Sequence, residues 1–165
     1  MASTKDSILA NIRTDEAAWN ALVAQVPTAR MGEPGPMGEW SFRDLVSHLL
    51  AWRNRTITRL EAAARVAPRP PAPWPAGMND DDPINAWFRD QDAGRSAQDL
   101  LAAYAGSFSR IAEAVEAVPA EAFLAESPTT PGYFRWRDTA GEIESDFSGH
   151  LADHAGDVRE WLATG

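Results

Sequence analysis

The chain contains no cysteine. Disulfides, thiolate metal ligands, iron–sulfur clusters and a cysteine nucleophile are therefore excluded, and any metal must be held by nitrogen and oxygen. Lysine is almost as scarce: of the 15 basic residues only Lys5 is lysine, and the rest are arginine. Positive charge as a whole is short. The 24 acidic residues leave a net charge of −9, so phosphate backbones are repelled on average and nucleic acid is not an expected partner. Arg53, Arg55 and Arg59 make a local basic patch, and a charge run of this kind reads as a solvated helix face. No apolar run approaches membrane-spanning length, and "MASTKDSILANIRTDEAAW" lacks the apolar core of a signal peptide. The expected protein is cytoplasmic, with no membrane partner.

What is present is a chain of 165 residues with seven Trp, six Phe and two Tyr, enough to bury a core as one domain spanning residues 1–165. Ile8, Ile12, Trp19, Leu22, Val23 and Val26 recur at helical spacing and predict a helix from about Ser3 to Val26. Pro27 ends it, and "MGEPGPMG" makes a loop. Ser41 with Asp44 three positions on is a capping-box-like start. Phe42, Leu45, Val46, Leu49, Ile57 and Leu60 carry that second helix to about Arg65. The segment "APRPPAPWPAG" cannot be helix interior and reads as a crossover. A short amphipathic turn, "PINAWFRDQ", follows.

Ser96 and Asp99 repeat the capping pattern ahead of Leu100, Leu101, Tyr104, Phe108, Ile111, Val115 and Val118, and Pro119 closes this helix. A loop, "ESPTTPGYFRWRDTAG", precedes a last helix from about Glu142 to Leu162. No convincing β alternation occurs. Four long amphipathic helices, with a long proline-rich crossover between the second and third, predict an all-α four-helix bundle.

Histidine is also rare. All three histidines fall where one metal ion can collect them: His48 on the second helix, and His150 and His154 as an H-x-x-x-H pair on the last. Residues four apart on a helix point the same way. A third imidazole from a facing helix completes a set that leaves an open coordination position. At about 100° per residue, His154 lies inside the stripe of Ile143, Phe147, Leu151 and Val158, while His150 and His48 lie at stripe edges. Taken singly, each reads as a core-edge histidine satisfied by one hydrogen bond; taken together they read as a shared site. The second position of the motif is Leu151, so a zincin-type general base is missing. Asp44, one turn before His48, and Asp157, three residues after His154, are candidates to accept a ring N–H. Asp44 also reads as a cap and Asp157 as a surface acid. Asp15 and Glu16 flank the first helix's apolar stripe and are weaker carboxylate candidates.

Two segments carry a resemblance. "GEWSFRDLVSHLLAWRNRTITRLEAA" is similar to the second-helix signature of the DinB/YfiT-like superfamily of bacterial four-helix bundles, and "SGHLADHAGDVREWL" resembles its C-terminal H-x-x-x-H helix. The resemblance implies that His48, His150 and His154 are ligands of a divalent ion such as zinc or nickel. It further implies low-molecular-weight thiols such as mycothiol or bacillithiol as cosubstrates, and pairing as a homodimer. The middle of the chain, "DPINAWFRDQDAGRSAQDLLAAYAGSFSRIAEAVEAVPAEAF", resembles the ClbS/DfsB branch, whose warhead-opening members are not generally thought to depend on a metal.

The expected function is accordingly a metal-dependent enzyme acting on a small molecule at a three-histidine site. Its reaction would be thiol-dependent transfer or isomerisation, or hydrolysis of an electrophile as a detoxification step. The alternative is a metal-free ClbS-like hydrolase or a small-molecule binding or sequestering protein. Trp40, Trp52, Trp74, Trp87, Tyr133 and Trp136 are expected at the mouth of the substrate pocket, although ordinary loop packing would use the same residues. Tyr133, beside Gly132, is the candidate proton donor.

Overall fold

The computed structural model describes residues 4–65, 67–119 and 149–164. Helix α1 (Lys5–Val23) begins at Thr4, whose side chain accepts from the Ser7 amide while Ser7 returns a bond to the Thr4 amide. Helix α2 (Phe42–Ala64) begins at Ser41 with the reciprocal pair expected there: the Ser41 hydroxyl accepts from the Asp44 amide, and the Asp44 carboxylate accepts from the Ser41 amide. Each such cap satisfies backbone donors that have no intrahelical partner. Residues 67–80 contain no helix, since their prolines remove amide donors and clash with the preceding turn. Helix α3 (Asp81–Gln91) follows, then α4 (Ala97–Ala117), capped by Ser96 through the Asp99 amide. The described part of the last helix is α5 (His150–Ala163). Its expected start near Glu142 lies outside the described residues.

The architecture is predominantly helical but not purely so. The "MGEPGPMG" loop holds a two-stranded antiparallel sheet, β1 (Pro34–Gly35) against β2 (Gly38–Ser41). Strands this short carry no readable alternation, and positive φ at Gly35 and Gly38 permits the reversal. Gly35 also serves the packing, because a Cβ there would overlap the indole of Trp161 on α5. Among the described residues no helix is long and apolar enough to cross a membrane.

The core is built where the apolar stripes meet. Ile8, Ile12, Trp19 and Leu22 of α1, Phe42, Leu45, Leu49, Ile57 and Leu60 of α2, Leu100, Phe108, Ile111 and Val115 of α4, and Leu151, Val158 and Trp161 of α5 form one buried cluster. Trp19 stacks on Phe42 and takes the edge of Tyr104 at 4.4 Å. Burial of such rings and aliphatic chains stabilises the fold by about 1.5–3 kcal/mol each.

The basic patch is not a solvated face. Arg53 is 0% exposed and Arg59 is buried. Arg53 donates to the Tyr104 hydroxyl at 2.7 Å and to Ser107 Oγ at 2.8 Å, and its guanidinium lies about 4 Å from the rings of Tyr104 and Phe108. A buried guanidinium persists because its donors are met by hydroxyls and ring faces.

Candidate metal centre

His48 lies in the second turn of α2, on the side that α5 covers, and His150 and His154 occupy the first turns of α5. The 3.6-residue period puts the α5 pair on one face, and packing of α5 against α2 brings all three imidazoles together. One ligand-capable atom from each lies within 4.8 Å of the others. The His48 ring centre is 4.6 Å from that of His150 and 5.4 Å from that of His154. Among the described residues no carboxylate joins this group.

His48 Nε2 and His150 Nε2 are 2.6 Å apart, a hydrogen bond in which one ring donates and the other accepts. All three imidazoles favour the neutral form. Burial lowers the pKa of His48 from 6.5 to about 3, helped by repulsion from His150 and His154 and opposed by the nearby Asn85 amide. Burial likewise lowers His150 to about 4, with His154 adding to the effect and Asp153 opposing it. His154 is lowered by burial against the opposing charges of Asp157 and Asp153.

The donor set suits a metal. Neutral imidazole nitrogen is what zinc, nickel, copper and iron(II) accept from a protein. Nδ1 of His48 and Nδ1 of His154 are buried without a hydrogen-bond partner, and a desolvated polar atom left this way costs about 1–3 kcal/mol. The three rings each offer one nitrogen to a common point, and that convergence fits a cation. Ligands of a tetrahedral ion with bonds of about 2.0–2.1 Å stand roughly 3.3 Å apart, so the close pair would part by roughly 0.7 Å.

The other candidate residues divide. Trp40 meets His48 edge-on at 6.2 Å, and the Arg89 guanidinium lies 4.9 Å from the Trp40 ring. Trp52 is tied to Asn85, its indole N–H donating to Asn85 Oδ1 at 2.9 Å, and Asn85 lies near enough to His48 to oppose the lowering of its pKa. Trp74 and Phe88 close on Trp52 from the side. Trp87 packs on Phe88 and lines a separate cavity, away from the histidines.

Asp44 is a cap. Its oxygens bond Ser41 and Arg43, and the orphan Nδ1 of His48 receives nothing from it. Asp157 acts on His154 by charge alone, from an exposed position. Asp15 is buried beside Arg53 and Tyr104, whose ionisation it influences, and Glu16 is exposed; neither joins the metal-capable group. Tyr133 and Trp136 lie outside the described residues. Sequence reasoning passed over Asn85 and Arg89, which share a face of α3 by their i, i+4 spacing, the only signal that could have paired them.

Residues 12–140 match the family described as the mycothiol maleylpyruvate isomerase N-terminal domain. The chain belongs to this family. The family sits within the DinB/YfiT-like superfamily. The match includes His48, Asn85 and Arg89, while His150 and His154 follow it. A crystal structure of an uncharacterised protein from Escherichia coli UTI89 superposes with a TM-score of 0.75 over 98% of this chain and 94% of that one, at 18% identity. At that identity the likeness concerns the fold alone. None of the curated proteins matches.

Proposed function

We propose that this chain is a metal-dependent enzyme that holds a divalent ion, zinc or nickel, on His48, His150 and His154 and acts on a small molecule. The observation that carries the reading is the convergence of the three histidines with two orphaned ring nitrogens. A divalent ion held by neutral nitrogens keeps its full charge, and so can acidify a nearby water or thiol and polarise a carbonyl. The chain's own residues do the rest. Burial keeps the imidazoles unprotonated and able to donate electron pairs. Asn85 acts on the ionisation of His48 from nearby, Trp52 is bonded to Asn85, and Trp40 presents its apolar ring to His48.

The family's name supports a low-molecular-weight thiol as cosubstrate, in an isomerisation or transfer that moves no electrons to an outside acceptor. Hydrolysis of an electrophile, in a detoxification role, is the other chemistry such a site supports. Tyr133 is proposed as proton donor and Trp136 as part of the pocket. The remaining parts of the reading are a single four-helix-bundle domain with a proline-rich crossover, working as a cytoplasmic homodimer.

A second reading has its own observation. The direct His48–His150 hydrogen bond satisfies both Nε2 atoms without a metal, which suits a metal-free ClbS-like hydrolase or a small-molecule binding protein. Metal analysis of protein purified without an affinity tag or chelator, beside His154→Ala, separates the two. Near-stoichiometric zinc, nickel, iron or manganese, lost in the variant, supports the metal centre. Absence of metal from both, even after divalent ions are added, overturns it.

A further inference from the structure

A cavity of about 280 Å³ opens between α2, α3 and the proline-rich segment that joins them. None of the histidines lines it. Phe88 forms part of its wall and meets Trp52 edge-on at 5.8 Å; Trp52 in turn bonds Asn85, which acts on the ionisation of His48. Phe88, Trp52 and Asn85 therefore link this cavity toward the three histidines. The volume lies at the foot of the range for small-molecule sites, suited to a one- or two-ring compound.

The lining has two kinds of surface. Trp87, Phe88 and three prolines offer flat apolar walls, and prolines hold their shape without further ordering cost. Against them stand Arg55, Arg59 and Arg95, with Asp92 the one carboxylate among the described lining residues. Asp92 spends one oxygen on Ser47 at 2.8 Å and the other on Arg95 at 3.1 Å. Arg59 is only 6% exposed, which puts one guanidinium of the lining on a water-poor wall. In a chain of net charge −9, three guanidiniums around one cavity run against the general field. Guanidinium forks match the planar geometry of carboxylates, and ring faces match flat apolar bodies.

We infer that this cavity binds a small aryl carboxylate, its ring against Trp87 and Phe88 and its anion toward the arginines, at a site separate from the three histidines. The test titrates naphthalene-1-acetate into the full chain by calorimetry, beside the uncharged 1-naphthaleneacetamide. The acetate is expected to bind, and the amide to bind roughly tenfold or more weakly, as loss of a charge-assisted bond implies. Arg95→Gln, at a half-exposed side chain, is expected to weaken the acetate while leaving the amide unchanged. Ala51→Phe, which fills the cavity from α2, should abolish binding of both with the circular dichroism spectrum retained. His154→Ala should bind the acetate as the unaltered chain does. Equal affinity for acetate and amide, an Arg95→Gln variant that does not discriminate, binding that survives Ala51→Phe, or no binding at all would each overturn the inference. Loss of binding in His154→Ala would overturn the separateness of the site.

Discussion

His48 Nε2 and His150 Nε2 meet at 2.6 Å across 102 residues of sequence, and at that separation only one of the two can carry a proton. The contact thus excludes a pair protonated at both Nε2 atoms, and burial lowers the pKa of each ring. This fixes what protons and metal ions can do there.

Metal binding should be unusually tolerant of acid. Three freely solvated imidazoles with pKa 6.5 would lose roughly three decades of affinity between neutral pH and pH 5.5, because each ligand must shed a proton. Here His48 titrates at about 3 and His150 at about 4, and His154 is also lowered. Titration of zinc by competition with a chelator of known affinity, at pH 7.0 and 5.5, should show a fall of less than about one decade. A drop of three decades would mean that the imidazoles are not protected.

The metal-free chain should lose stability in the same range. The unfolded chain takes up protons on these histidines near pH 6.5, whereas the folded chain resists until about 3–4. Below 6.5 the unfolded state therefore binds more protons, and stability falls with falling pH until the folded values are reached. The urea midpoint in chelator should be flat above pH 7 and decline between 6.5 and 4. His48→Gln should shallow that slope; an unaltered slope would locate the pH dependence elsewhere.

Arg53 anchors a buried polar knot whose removal should be costly. Tyr104→Phe deletes one hydroxyl that accepts at 2.7 Å, and should cost about 1–2 kcal/mol. Arg53→Ala removes that bond, the bond to Ser107 and the packing against two rings, and should cost about 3–5 kcal/mol. Burial already pulls Arg53 down to about 10 and pushes Tyr104 up to about 12, so the knot keeps its charge state at neutral pH. Equal costs for the two variants, read from denaturant midpoints, would contradict this account.

Local signals were readable from the sequence and distant ones were not. The Ser41–Asp44 and Ser96–Asp99 caps announce themselves within four residues, because their chemistry is completed within one turn. The three histidines were legible as a set because their scarcity and i, i+4 spacing needed no knowledge of tertiary packing. Arg53 looked like surface because its partners sit on α4, more than 50 residues away. The two-stranded sheet escaped because Pro34–Gly35 is too short to alternate.

Gly35 locks that small sheet to the end of α5. Its φ of +148° lies where side chains are strained, and a Cβ there would overlap Trp161. Gly35→Ala should displace the indole or the hairpin at a cost of about 1–3 kcal/mol. Arg30 lies 4.3 Å from the same ring, so the displacement should appear in tryptophan fluorescence as well as in the unfolding midpoint. A variant with both unchanged would show that the hairpin has room to yield.

Asn85 should tune the metal centre from α3. It accepts from the Trp52 indole and acts on the ionisation of His48 from nearby, so its side chain is placed to influence how that ring sits. Groups that orient a ligating histidine commonly contribute 10- to 100-fold in metal affinity, and Asn85→Leu should lose about that much while removing a partner from Trp52. Asn85→Asp keeps the acceptor and adds a negative charge beside His48, which favours a cation at the cluster. It should bind zinc at least as tightly as the unaltered chain and raise the pKa of His48, visible in the imidazole proton shifts of the metal-free protein. If Asn85→Leu and Asn85→Asp bind zinc equally well, Asn85 packs against the centre without orienting it.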